Sequence, residues 1–106
     1  MMRVVVIVRI ENSYMLQKND DEELYTLPYC MCDNVNDGFD LLYEFLGSKG
    51  VKIEITEIFD KMEYCNEKIF VCKGQVSQYT IKTDDSIKWV ESEEIEKTKF
   101  ENWCFQ

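Results

Sequence analysis

Two groups of residues in this sequence could do chemistry. The first is LPYCMCDNVNDG, residues 27–38, which sets Cys30 and Cys32 one residue apart ahead of a helix. Paired thiols could hold a soft metal, with Cys65 or Cys72 completing a tetrahedral zinc site. The second group is acidic. Glu44 lies on the helix, Asp33, Asp37 and Asp40 lie around its start, Glu63 and Glu67 flank a later turn, and Asp84 and Asp85 precede a tryptophan. Carboxylates that converge on one point could hold magnesium. Neither signal is specific. A lone C-x-C is weak beside two Cys-x-x-Cys pairs, which this chain lacks, and small buried thiols pack well without any metal. With 21 acidic residues in the chain, a few near any given place are expected, and a charge run is ordinarily a solvated surface. Histidine is absent. That removes Ser-His and Cys-His catalysis.

The elements that must position these residues can be read from pattern. Residues 3–10 and 14–18 read as strands around the turn Glu11-Asn12-Ser13, a hairpin. KNDDEE (18–23) reads as a charged loop, and Tyr25 to Leu27 as a short strand ended by Pro28. The YCMC stretch reads as loop. Asp37 is placed to cap a helix running to Ser48, with Phe39, Leu42 and Leu46 on its apolar face and Gly50 as its stop. Residues 51–59 and 68–76 read as strands joined by a turn at Cys65-Asn66-Glu67. Shorter strands follow at Tyr79–Lys82 and Ile87–Val90, then a short helix at Glu91–Lys97. The expected class is α+β, an α/β sandwich built as a mixed sheet with helices packed on it.

The chain has 106 residues and a 45% hydrophobic share, enough for one domain (1–106) with one modest core. A net charge of −9 with scattered cations argues against nucleic-acid binding. The apolar run Val4–Val8 spans only five residues before Arg9, too short for a signal peptide core or a membrane span. Five cysteines, an odd number, do not read as a disulfide framework. The expected location is cytoplasmic.

The order of these pieces resembles the Nudix (MutT-like) hydrolases. That family carries a W-x-L-P-G-G lead-in and a box ending R-E-U-x-E-E-x-G-U, where U is aliphatic. Tyr25-Thr26-Leu27-Pro28 matches the lead-in, while Glu44-Phe45 and Gly50-Val51 match the E-U and G-U steps at the right separation. Ile87-Lys88-Trp89-Val90, followed by Glu93-Glu94-Ile95, is similar to the family's late strand and acidic helix. The resemblance spans roughly residues 3 to 103. It implies a Nudix-like sheet, a main box helix and a short C-terminal helix.

The departures fall on the chemistry. The resemblance implies three metal-binding carboxylates on one face of the box helix. Here those positions are Glu44, Gly47 and Ser48. Tyr43 stands for the family's arginine, and Tyr29 and Cys30 for its paired glycines. One glutamate does not hold magnesium well, so the expectation is a Nudix fold whose box has lost its hydrolytic site. Such a protein would bind a nucleotide-like small molecule or a partner, with Tyr29, Tyr43 and Asp85 as ligand-binding candidates, Glu44 as a catalytic remnant, and no cofactor. The alternative is a divergent nucleoside diphosphate-X pyrophosphohydrolase using Glu44, outside carboxylates and Mg²⁺ or Mn²⁺. A third reading is an interaction module, dimerising with a second copy through exposed strands.

Overall fold

The central strand follows from the run VVVIV: β-branched residues with no polar alternation suit a strand covered on both faces. In the computed structural model Val4, Val5, Val6 and Val8 are all fully buried. The structure describes residues 2–18, 25–64, 66–79 and 86–91, and every side chain among them except those of Phe59 and Tyr64. The elements are β1 (Met2–Ile10), β2 (Ser13–Lys18), β3 (Tyr25–Thr26), β4 (Tyr29–Cys32), α1 (Val35–Ser48), β5 (Val51–Tyr64), β6 (Glu67–Tyr79) and β7 (Ile87–Glu91). One mixed sheet carries all seven strands. Its main path is β3-β2-β1-β6-β5, with β4 paired to β1 and β7 paired to β2. The β1–β6 pair is parallel; the others are antiparallel. This is the α+β architecture expected from the sequence.

Alternation along β1 divides the core. Val4, Val6 and Val8 pack with Met15, Ile53, Cys72 and the helix residues Leu42 and Leu46. Val5 joins Leu16, Leu27, Ile69, Val71 and Val90 in a second cluster. Turn chemistry agrees with the sequence at three points. Glu11, in the β1–β2 turn, has φ 54°. Asn66, in the β5–β6 turn, has φ 64°, a conformation that asparagine tolerates better than most residues. Gly50 has φ 81° and donates its N–H to the Gly47 carbonyl at 3.0 Å, the left-handed stop that glycine supplies.

Four readings are corrected. YCMC is a strand, not a loop: Cys30 lies opposite Val4 and Cys32 opposite Met2. The helix cap is Asn34 rather than Asp37. The Asn34 side chain accepts the Asp37 N–H at 2.9 Å and donates to the Asp37 carboxylate at 2.8 Å. Both residues are good caps, and the helix starts early enough to use both. The strands β5 and β6 run longer than 51–59 and 68–76, so Tyr79 ends β6 instead of starting a strand. Glu91 closes β7 and is not helical. The rest of the expected C-terminal helix, residues 80–82, most of the loop at 18–23 (19–23), and Asp85 lie outside the described residues.

Candidate functional site

Glu44 projects from the solvent side of α1, opposite Leu42 and Leu46. Among the described residues its carboxylate makes no hydrogen bond or ion pair. Gly47 and Ser48 share its exposed face, and the Ser48 hydroxyl is turned to the Phe45 carbonyl at 2.6 Å. Asp40 and Asp37 continue the stripe toward the helix start. Among the described residues, no three acidic, thiol or imidazole side chains are placed to hold a metal ion. Magnesium wants near-octahedral oxygen ligation. One exposed carboxylate, a glycine and a self-satisfied serine do not fit it.

The two tyrosines expected as ligand contacts, Tyr29 and Tyr43, are not brought together. Tyr29 packs on the second core cluster, with the Arg3 guanidinium 4.6 Å above its ring. Arg3 in turn meets Glu67 at 2.8 Å, so β1, β4 and β6 are tied by one side chain. Tyr43 leaves α1 toward β5, where its hydroxyl accepts the Ile55 N–H at 3.1 Å. It forms one wall of an open hollow of about 740 Å³. Gly47 and Gly50 line the helix side, and Val51, Lys52, Glu54 and Ser77 the sheet side. A second hollow of about 500 Å³, reaching Arg9 and Lys73, shares Ser77 and Gln78 with the first. The walls of the first hollow mix an aromatic ring, aliphatic carbons, one cation and one anion. That suits a small ligand with an apolar ring and polar substituents. Neither hollow was legible in the sequence, because elements distant along the chain build them: α1, β5 and β6 the first, and β1, β5 and β6 the second. Tyr43 was the one lining residue named as a ligand contact; Gly47, Gly50 and Val51 were named for other reasons.

The thiols sit on the buried side of β4 and β6. The Cys30 sulfur lies 3.2 Å from the Gly38 carbonyl. Burial pushes its thiol up to about 12, with further contributions from the charge and hydrogen bond of Cys32 and from the charge of Cys72. Burial likewise pushes Cys72 up to about 11. Cys32 is raised first by burial and then by the nearby Asp37 and Asp33, while hydrogen bonds from Cys30 and the Gly38 amide oppose the rise. Cysteines 30, 32 and 72 are free. A raised thiol means that the folded chain keeps a proton that the unfolded chain loses near pH 9. This contribution to stability is fully present below pH 9 and is lost as pH climbs toward 11–12. Urea midpoints taken from pH 8 to pH 10.5 should therefore fall more steeply for the native chain than for Cys30→Ala/Cys72→Ala. Parallel slopes would count against buried neutral thiols.

Known structures superpose on this arrangement over nearly its whole length. A Nudix-family hydrolase of Clostridium perfringens matches with a TM-score of 0.65 and 8% identity, covering 97% of this chain and 89% of its own. A UDP-X diphosphatase matches with a TM-score of 0.71 and 9% identity, covering 99% of this chain and 56% of its own. A Sinorhizobium meliloti protein provisionally assigned as an oxidoreductase matches with a TM-score of 0.73 and 15% identity, covering 96% of this chain and 34% of its own. No protein-family model and no curated protein matches the chain. The mixed sheet with one main helix is thus a Nudix-like fold, as the lead-in and box remnants implied. This chain spans just over half of the UDP-X diphosphatase and about a third of the Sinorhizobium meliloti protein. Among the described residues, no helix is long and apolar enough to cross a membrane.

Proposed function

We propose that this chain is a Nudix-fold binding domain that no longer hydrolyses a pyrophosphate bond and holds a nucleotide-like small molecule without a catalytic metal. The observation that carries the reading is the outward face of α1, where positions 44, 47 and 48 offer one carboxylate instead of three. Metal-assisted attack on a phosphate needs a held ion to polarise the oxygens and lower the pKa of a water. Glu44 alone would be outcompeted by the ion's own hydration. The hollow beside Tyr43 supports a bound ring, with Lys52 able to meet an anionic substituent. Asp85, before the tryptophan strand, stays a candidate contact. Free thiols suit a reducing compartment, so we place the protein in the cytoplasm.

The alternative, a pyrophosphohydrolase acting on a nucleoside diphosphate-X with Mg²⁺ or Mn²⁺, draws on the fold shared with the UDP-X diphosphatase. A thermal-shift panel of nucleoside diphosphate derivatives, each with and without the metals and each followed by product analysis, separates the two. Metal-independent stabilisation without turnover is the expected result. A ligand at a hundred times its dissociation constant adds roughly 2.7 kcal/mol, well within reach of the method. Metal-dependent turnover that disappears in Glu44→Gln would replace this reading with the hydrolase. Silence across the whole panel would remove nucleotide binding.

A further inference from the structure

We propose that Gly47 is the specificity-determining residue of the hollow beside Tyr43. Its lack of a side chain lets a flat aromatic ring, one that carries an anionic substituent, lie against the bare backbone of α1. This role rests on that hollow's being the seat of a nucleotide-like ligand.

Glycine is an unfavourable choice at position 47. The residue lies inside α1 (Val35–Ser48), where glycine lowers helix stability relative to alanine. The other three glycines each answer to the fold. Gly50 has φ 81°, a conformation that glycine adopts without strain. A Cβ at Gly38 would lie 2.7 Å from Val4 and 2.8 Å from the Cys32 sulfur, and a Cβ at Gly74 would lie 2.9 Å from Val6. Gly47 has neither reason. Its φ is not positive. Among the described residues, a Cβ there would meet nothing within 4 Å. The space in front of it opens into the hollow of about 740 Å³.

The shape of that hollow gives the bare position its use. Residues 43 and 47 lie on one helical face, about 6 Å apart along the axis. Helical side chains lean toward the N-terminus. Tyr43 accordingly reaches away from Gly47, and its hydroxyl accepts the Ile55 N–H at 3.1 Å. Gly50 and Val51, where the chain turns from α1 into β5, lie at the other end of the hollow. The result is a slot with α1 on one side and β5 on the other. A side chain at position 47 would lean toward Tyr43, into the middle of the slot. Bare backbone at the same point lets a planar ring approach the Tyr43 ring, where offset or edge-to-face packing adds to its burial. Lys52, on the β5 side, is the one cation lining the slot, placed to meet the anionic substituent.

The test is isothermal titration calorimetry with adenosine, guanosine, cytidine and uridine diphosphates, in the presence of a chelator and without added metal. Four forms of the whole chain are compared: native, Gly47→Ala, Gly47→Leu and Ser48→Leu. Ser48 follows Gly47 on the helix but does not line the hollow, so it controls for added bulk at the helix end. The native chain should bind at least one of the four nucleotides. Affinity should weaken in Gly47→Ala and be lost in Gly47→Leu, while Ser48→Leu should bind as the native chain does. Alanine and leucine are better helix formers than glycine, so urea midpoints at or above the native value separate lost binding from lost fold. Undiminished binding by Gly47→Leu would overturn the role of Gly47 and leave nucleotide binding standing. Equal loss in Ser48→Leu would trace the effect to the helix end at large, and a lowered urea midpoint in Gly47→Ala would give the glycine a structural reason; either overturns the proposal. No binding by the native chain would overturn it together with the nucleotide reading.

Discussion

Gly38→Ala and Gly47→Ala, the same substitution made nine residues apart in one helix, should shift stability in opposite directions. Removing a helical glycine is worth roughly 1 kcal/mol in intrinsic propensity at either position. At Gly47 nothing lies within 4 Å of the new methyl, so the gain stands alone. At Gly38 the methyl would lie 2.7 Å from a Val4 methyl and 2.8 Å from the Cys32 sulfur. Val4 belongs to the central strand and is fully buried, so it has no room to withdraw. Overpacking of this kind costs roughly 1–3 kcal/mol, which exceeds the propensity gain. Urea denaturation should put the Gly47→Ala midpoint above that of the parent and the Gly38→Ala midpoint below it. Gly38→Val should fall further still. Two midpoints moving the same way would mean that the contact between α1 and β4 is looser than the structure has it.

Leu42→Ala should be the most damaging truncation in the helix. Leu42 is fully buried among Val4, Val6, Met15 and Leu46, at the centre of the only helical face that meets the sheet among the described residues. Buried leucine-to-alanine changes cost roughly 2–5 kcal/mol, the spread reflecting how far the cavity collapses. Here collapse is limited, because the cavity floor is the paired strand β1 and cannot move without breaking hydrogen bonds to β4 and β6. The loss should therefore fall in the upper half of that range. It would take a large share of a total that is typically about 5–15 kcal/mol. Leu41→Ala, one residue away and 45% exposed, is the control and should change the urea midpoint little.

Much of the frame was legible. The VVVIV run announced a central strand, the spacing of Leu42 and Leu46 a buried helical face, and Gly50 its end. What escaped did so for separate physical reasons. Tyr29-Cys30-Met31-Cys32 shows no polar alternation, since one face of β4 meets the helix and the other packs Tyr29 under Arg3. Short, uniformly apolar and just after a proline, it reads as loop. The cap was ambiguous because Asn34 and Asp37 are both competent, and only their mutual hydrogen bonds decide between them. The length of β5 was hidden by Asp60, Lys61 and Glu63, charges that an edge strand carries without cost on its solvent side. For the candidate site, helical spacing alone turned Glu44 outward. The hollow, by contrast, needs α1, β5 and β6 assembled, and nothing local encodes it.

The bond from the Ile55 N–H to the Tyr43 hydroxyl has a consequence for how this molecule meets other molecules of its kind. Strand β5 ends the sheet's main path, and a row of unpaired amides on such a strand invites a foreign strand to add itself. At Ile55 the donor is already occupied from the helix. On either side the pairing register of β5 with β6 shifts, between Lys52 and Ile53, Ile55 and Glu57, and Ile58 and Asp60. An incoming strand finds neither a free donor at Ile55 nor a regular spacing along the edge. Among the described residues, this long rim is thus a poor template for an added strand, and the Tyr43 hydroxyl on the Ile55 amide is part of the reason.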